Sequence, residues 1–174
     1  SLIVNGTMPN AAPTLAAGAT LGGSGTITAS TTVPAGATLS PGDVGAGTLN
    51  FIGNLTLDAG SNYAVDITAA ATNDRIATTA GTLSANGNIV VTLAGYTPVA
   101  NDSFDLANAA AISGTPTFDF SAATLSPGLQ WDTSQFATTG VIMVKSAGGF
   151  DSFVSVIPNP DDRDPLDDPD GDFI

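Results

Sequence analysis

Three carboxylates at alternate positions, Asp168-Pro169-Asp170-Gly171-Asp172, are the residues of this chain whose type and spacing could do chemistry. Calcium loops wrap oxygen ligands round a hard cation at this i, i+2, i+4 spacing, and Asp161, Asp162, Asp164 and Asp167 stand just before them as further ligands. Ca2+ is therefore the one cofactor the sequence suggests, with Asp168, Asp170 and Asp172 as its candidate ligands. A solvated acidic linker has the same composition, so both readings stand. Other chemistries lack parts. There is no His and no Cys, which removes the usual base for a serine nucleophile and leaves zinc no ligand but Asp. A carboxylate pair for glycoside hydrolysis could be drawn from Asp66, Asp74, Asp102, Asp105 or Asp119, provided two of them face a cleft within about 10 Å. Such sites are usually ringed by basic residues, and outside the tail only Arg75 and Lys145 are basic, so no catalytic residue is assigned and the chain is read as a non-enzyme.

The Asp-rich stretch resembles the start of an EF-hand-like or thrombospondin-type calcium repeat. It departs from that pattern at Phe173, where a sixth-position Gly belongs, and at position twelve, where no bidentate acid follows. Trp131, Tyr96 and Tyr63 could form a sugar-stacking platform. Their alternation with Thr and Asp favours core or cap positions instead. Asn5, Asn54 and Asn101 head Asn-x-Ser/Thr triplets, which arise by chance in a chain so rich in Ser and Thr.

The elements that must position any site come from a repeat. Leu15-Ala-Ala-Gly-Ala-Thr-Leu21 returns as Val33-Pro-Ala-Gly-Ala-Thr-Leu39, 18 residues on, and a weaker echo is Leu57-Asp-Ala-Gly-Ser-Asn-Tyr63. In each unit an Ala-Gly corner leads into a short strand of alternating polarity, too short to bury its apolar face unless coils stack. The repeat predicts parallel, in-register stacking from Leu15 to Thr68, with Leu21 over Leu39. Asn88-Ile-Val-Val-Thr-Leu-Ala94, β-branched throughout its centre, reads as a central strand.

The run from Gly18 to Ile27, the Ala35–Asp43 stretch and Gly47–Ser61 resemble the autotransporter-associated β-strand repeat of large bacterial surface and secreted proteins. Gly128-Leu-Gln-Trp-Asp to Val141 resembles the stretch that closes such regions. The resemblance touches roughly residues 1–145 and implies an all-β, right-handed parallel β-helix (β-solenoid) in an exported protein. It carries no catalytic residues with it, and a scaffold does not fix a function. Three parts are expected: solenoid coils over 1–68, closing strands and a cap over 69–148, and an apolar segment plus acidic tail over 149–174. Ala69–Asp74 reads as a loop between the first two.

Charge narrows the partners. The net charge is −13, every acidic residue is Asp, and the tail from Asp151 holds eight of the sixteen. With three basic residues in all, neither a phosphate backbone nor an anionic membrane has anything to bind. No apolar run reaches the ~20 residues of a membrane helix, so the chain is expected to be soluble or assembled outside a bilayer. Charged residues are only 11%, with Thr, Ser and Asn keeping the surface wet, a composition more common in exported repeat proteins than in the cytosol. The chain opens at Ser1-Leu2-Ile3-Val4 with no Met and no leader-like segment, so a longer parent is expected.

Together these features point to an extracellular or bacterial cell-surface structural protein that displays itself on, or assembles into, a fibrous solenoid. An adhesin or glycan-binding module is the alternative, and a polysaccharide-active enzyme ranks behind it. The expected partner is self, head to tail, or the remainder of a longer chain. Leu2, Ile3 and Val4 form an apolar strand with an open edge. Phe150, Phe153, Val154 and Ile157, spaced for one helix face yet also suited to a strand, are the candidate donated element.

Overall fold

A computed structural model describes residues 1–43 and 45–148. The chain winds through three parallel sheets in turn, and each complete coil after the first gives one short strand to every sheet. Sheet A stacks β1 (Leu2–Ile3), β3 (Thr20–Gly23), β6 (Thr38–Pro41), β9 (Asn62–Ala69), β13 (Asn88–Leu93) and β17 (Thr117–Ala122). Sheet B stacks β2 (Thr7–Met8), β4 (Thr26–Ile27), β7 (Thr48–Phe51), β11 (Arg75–Thr78) and β15 (Ala107–Ala109). Sheet C stacks β5 (Thr31–Val33), β8 (Leu55–Leu57), β12 (Leu83–Ala85) and β16 (Ile112–Ser113). The molecule is a parallel β-solenoid, and Leu21 pairs with Leu39 as the repeat predicts.

Alternation explains the core. Along β9, Tyr63, Val65 and Ile67 are buried while Asn62, Ala64 and Asp66 between them face outward. Parallel register repeats this from coil to coil, so Leu2, Leu21, Leu39, Tyr63, Ile89 and Phe118 form one inward column. No single strand could bury these side chains; the stack removes the four inner ones from water and leaves Leu2 and Phe118, at its two ends, half-buried. Tyr63 also spans the interior and donates its hydroxyl to the carbonyl of Leu106 at 2.6 Å, which satisfies the one polar group it brings inside. Burial pushes its phenol well above the usual range.

The repeated Ala-Gly sits at the corner from sheet C into sheet A. Gly18 and Gly36 adopt φ of 80° and 77°, and Gly60 one coil later has 83°. Their backbones link coil to coil, Gly18 N–H to the Gly36 carbonyl and Gly36 N–H to that of Gly60, each at 2.8 Å. A side chain there is strained by the positive φ, and at Gly36 a Cβ would also stand 3.2 Å from that of Ala17. The motif is repeated because the corner has one geometry that is passed up the stack.

Parallel stacking runs past Thr68, since β11, β12 and β13 lie in register on β7, β8 and β9. Among the described residues a fourth, antiparallel sheet leaves it, made of β14 (Ser103–Asp105), β19 (Val141–Ser146) and β18 (Leu129–Asp132) in that order, together with helix α1 (Phe136–Thr139). The helix touches β15 and β16, and its buried Phe136 meets Phe118 of β17 edge to face with centroids 5.4 Å apart, so it lies against the last strand of all three parallel sheets. Trp131 stacks on Phe120 beside it at 4.9 Å. At the opposite end β1, β2 and β5 each pair on one side only. No helix among the described residues is long and apolar enough to cross a membrane.

Candidate functional site

The coils are unequal, and their inequality locates the site. Down the inward column of sheet A, residue 2 faces 21, then 39, 63, 89 and 118, giving steps of 19, 18, 24, 26 and 29. The corners from B to C and from C to A stay at two to four residues throughout. The corner from A to B grows, from residues 24–25 to 42–47, and then to an arm in which β9 runs on and returns as β10 (Thr72–Asn73) paired antiparallel to it. The predicted loop over Ala69–Asp74 is thus a hairpin. Polar Asn73 and apolar Ala69–Ala71 gave no strand alternation to reveal it. In the next coil 94–102 fill the same position.

Asp74 fixes this corner. It is 3% exposed, and its carboxylate accepts the N–H of Gly47 at 2.8 Å and that of Asp66 at 3.1 Å, tying two successive corners together. Loss of water raises its pKa to about 6; the two N–H donors pull the other way, and the neighbouring Asp66 charge adds to the rise.

A notch of about 230 Å³ opens outside it, between 46–48 on one wall and 71–73 on the other, with Arg75 and Asp105 between them. Arg75 is opposite Thr48 in register, and its Nη1 donates to Asp105 Oδ2 at 2.8 Å. Both side chains are more than a third exposed, so the pair adds little to stability. Asn73 holds them in place, since its side-chain amide donates to the carbonyls of Asp74 at 2.7 Å and Asp105 at 2.9 Å. Ala71, at the tip of the arm, has φ of 52° without being glycine.

The residues singled out in the sequence are scattered. Leu2 is half-buried, Ile3 is 44% exposed on the open edge, and Val4 is buried with its N–H donated to the Gly22 carbonyl. Phe150, Phe153, Val154 and Ile157, and Asp168, Asp170 and Asp172, lie outside the described residues. Among the described residues, no three carboxylates come together to hold a metal. Tyr63 is wholly buried, whereas Tyr96 and Trp131 both pack on Phe104, so the three share no groove. Asp102 Oδ2 accepts from the Tyr96 hydroxyl and the Val99 N–H, and Asp119 accepts from the Ser121 N–H. Asn5 and Asn54 use their side-chain oxygens to receive Ser24 N–H and Thr82 N–H from the following coil. No protein-family model matches this chain, and no curated protein matches it.

Proposed function

We propose that this chain is an extracellular structural and display element, a stretch of solenoid that stacks into a longer fibrous scaffold at the bacterial cell surface. The observation that carries the reading is the contrast between its ends: β1 and β2, the strands of the first coil, have unpaired edges, while α1 lies against the last strand of all three parallel sheets. Unpaired parallel edges accept further strands in the same register, whether from coils of the same chain or from a second copy. The outward faces suit a scaffold, as in the in-register row Thr32, Thr56, Ser84 and Ser113 along sheet C. The likeness of 18–27, 35–43 and 47–61 to exported repeats supports a location outside the cell.

Light scattering on the full chain tests this. Concentration-dependent growth in mass is expected, lost in Ile3→Lys, because an inserted charge on a strand edge blocks pairing. A monomer at every concentration, or assembly that Ile3→Lys leaves unchanged, overturns the open edge as the connector. Deleting 149–174 asks whether Phe150–Ile157 is the donated strand. Unchanged assembly would exclude it. Calorimetry with calcium, on the chain and on an Asp170→Ala, Asp172→Ala variant, decides the tail: heat lost in the variant is the outcome for a calcium site, and identical traces make it a linker.

A further inference from the structure

We propose that the notch at the corner between sheets A and B binds a single neutral sugar residue of a glycan, held by Arg75 and Asp105. The inference goes beyond the scaffold reading and stands on different residues. Insertions in solenoids map to loops on one face, which is often the binding face, and here nearly all growth in coil length is at this corner. The arm built by the insertion is exposed from Ala69 to Thr72, contributes nothing to the core, and keeps Ala71 in the left-handed region. A backbone cost without a packing return is a mark of a functional wall.

The chemistry of the notch selects the ligand class. Arg75 uses only Nη1 within the described residues, which leaves Nε and Nη2 as donors, while Asp105 Oδ2 beside it accepts. A donor and an acceptor held side by side match adjacent hydroxyl groups, each of which gives and takes a hydrogen bond. An anion is disfavoured because Asp43, Asp66, Asp74, Asp102 and Asp105 all lie along this edge, five of the eight Asp among the described residues. A simple cation would face the Arg75 guanidinium. At about 230 Å³ the notch falls below the ~300–1,000 Å³ of drug-sized sites, so it takes one ring and not a chain. With no aromatic platform, the affinity belongs in the millimolar range.

Amide chemical shifts of the full chain carrying Ile3→Lys, which keeps it unassembled and lies outside the notch, followed by NMR during titration with methyl glycosides of glucose, galactose, mannose and N-acetylglucosamine, test the proposal. At least one sugar should shift the amides of Gly47, Thr48, Thr72, Asn73 and Asp105 saturably, and galacturonate should not. Arg75→Lys keeps the charge but loses the planar fork, and should weaken binding roughly tenfold. Thr72→Trp, at the exposed lip of the notch and bonded to neither Arg75 nor Asp105, should fill it and abolish the shifts while the rest of the spectrum is kept. The proposal is overturned by shifts with none of the sugars, by stronger shifts with galacturonate, or by shifts that persist in Thr72→Trp. Because assembly is read by scattering and sugar by local shifts, failure of either leaves the other standing.

Discussion

Two edges of the solenoid follow opposite rules. At the corner from sheet C to sheet A, Gly18, Gly36 and Gly60 repeat one left-handed turn and bond backbone to backbone up the stack. At the corner from A to B the early coils also meet backbone to backbone, Gly23 with Gly42 in both directions, but the corner then lengthens to six residues, to a hairpin arm and to 94–102. There the Asp74 carboxylate accepts the Gly47 N–H beside the backbone bond from Arg75 N–H to the Gly47 carbonyl, so a side chain shares the link between coils. Where the same peptide link recurs, the sequence is repeated; where a carboxylate takes part, the corner varies in length, and it is there that the notch has formed.

The largest effect should come from breaking the repeated corner. Gly36→Val places a β-branched residue at φ of 77° against Ala17, and should cost about 2–4 kcal/mol in denaturant unfolding. A cost below the typical surface range would mean that the turn is not what aligns the coils. Asp74→Asn comes next, at about 1–3 kcal/mol, since an amide can accept from one N–H but turns a donor on the other. Its pH profile sharpens the contrast. A folded pKa of about 6, above the ordinary aspartate value, favours the protonated form in the folded state, so the stabilising contribution is fully present below about pH 4 and is lost as pH rises through about 6. Wild type should therefore gain stability relative to Asp74→Asn as pH is lowered from 7 to 4, whereas parallel profiles would show an unperturbed carboxylate. Ala71→Gly should do least, relieving the arm by at most about 1 kcal/mol and leaving assembly untouched.

Much of the scaffold was legible because it repeats. The 18-residue return of Ala-Gly-Ala-Thr-Leu led to the pairing of Leu21 with Leu39, and the β-branched run at Asn88–Leu93 is an interior strand between β9 and β17. The arm was not legible, because Ala69–Asn73 has neither alternation nor a turn glycine. Helix α1 is too short for a 3.6-residue period to show, and only Gly140, whose φ of 75° ends it, was a signal. The notch was hidden by distance: Arg75 and Asp105 are 30 residues apart. That interval is about one late coil, so a map drawn with lengthening coils would have set them on neighbouring layers. An equal-coil map could not.

Residue-resolved amide hydrogen exchange compares the two edges most directly. Gly18, Gly36 and the sheet A amides of β6, β9 and β13 should exchange only through global opening, and the arm at 70–72 should exchange orders of magnitude faster at unchanged global stability. Equal protection of the arm and the glycine corner would contradict the division between a repeated edge that holds the stack and a varied edge free to bind.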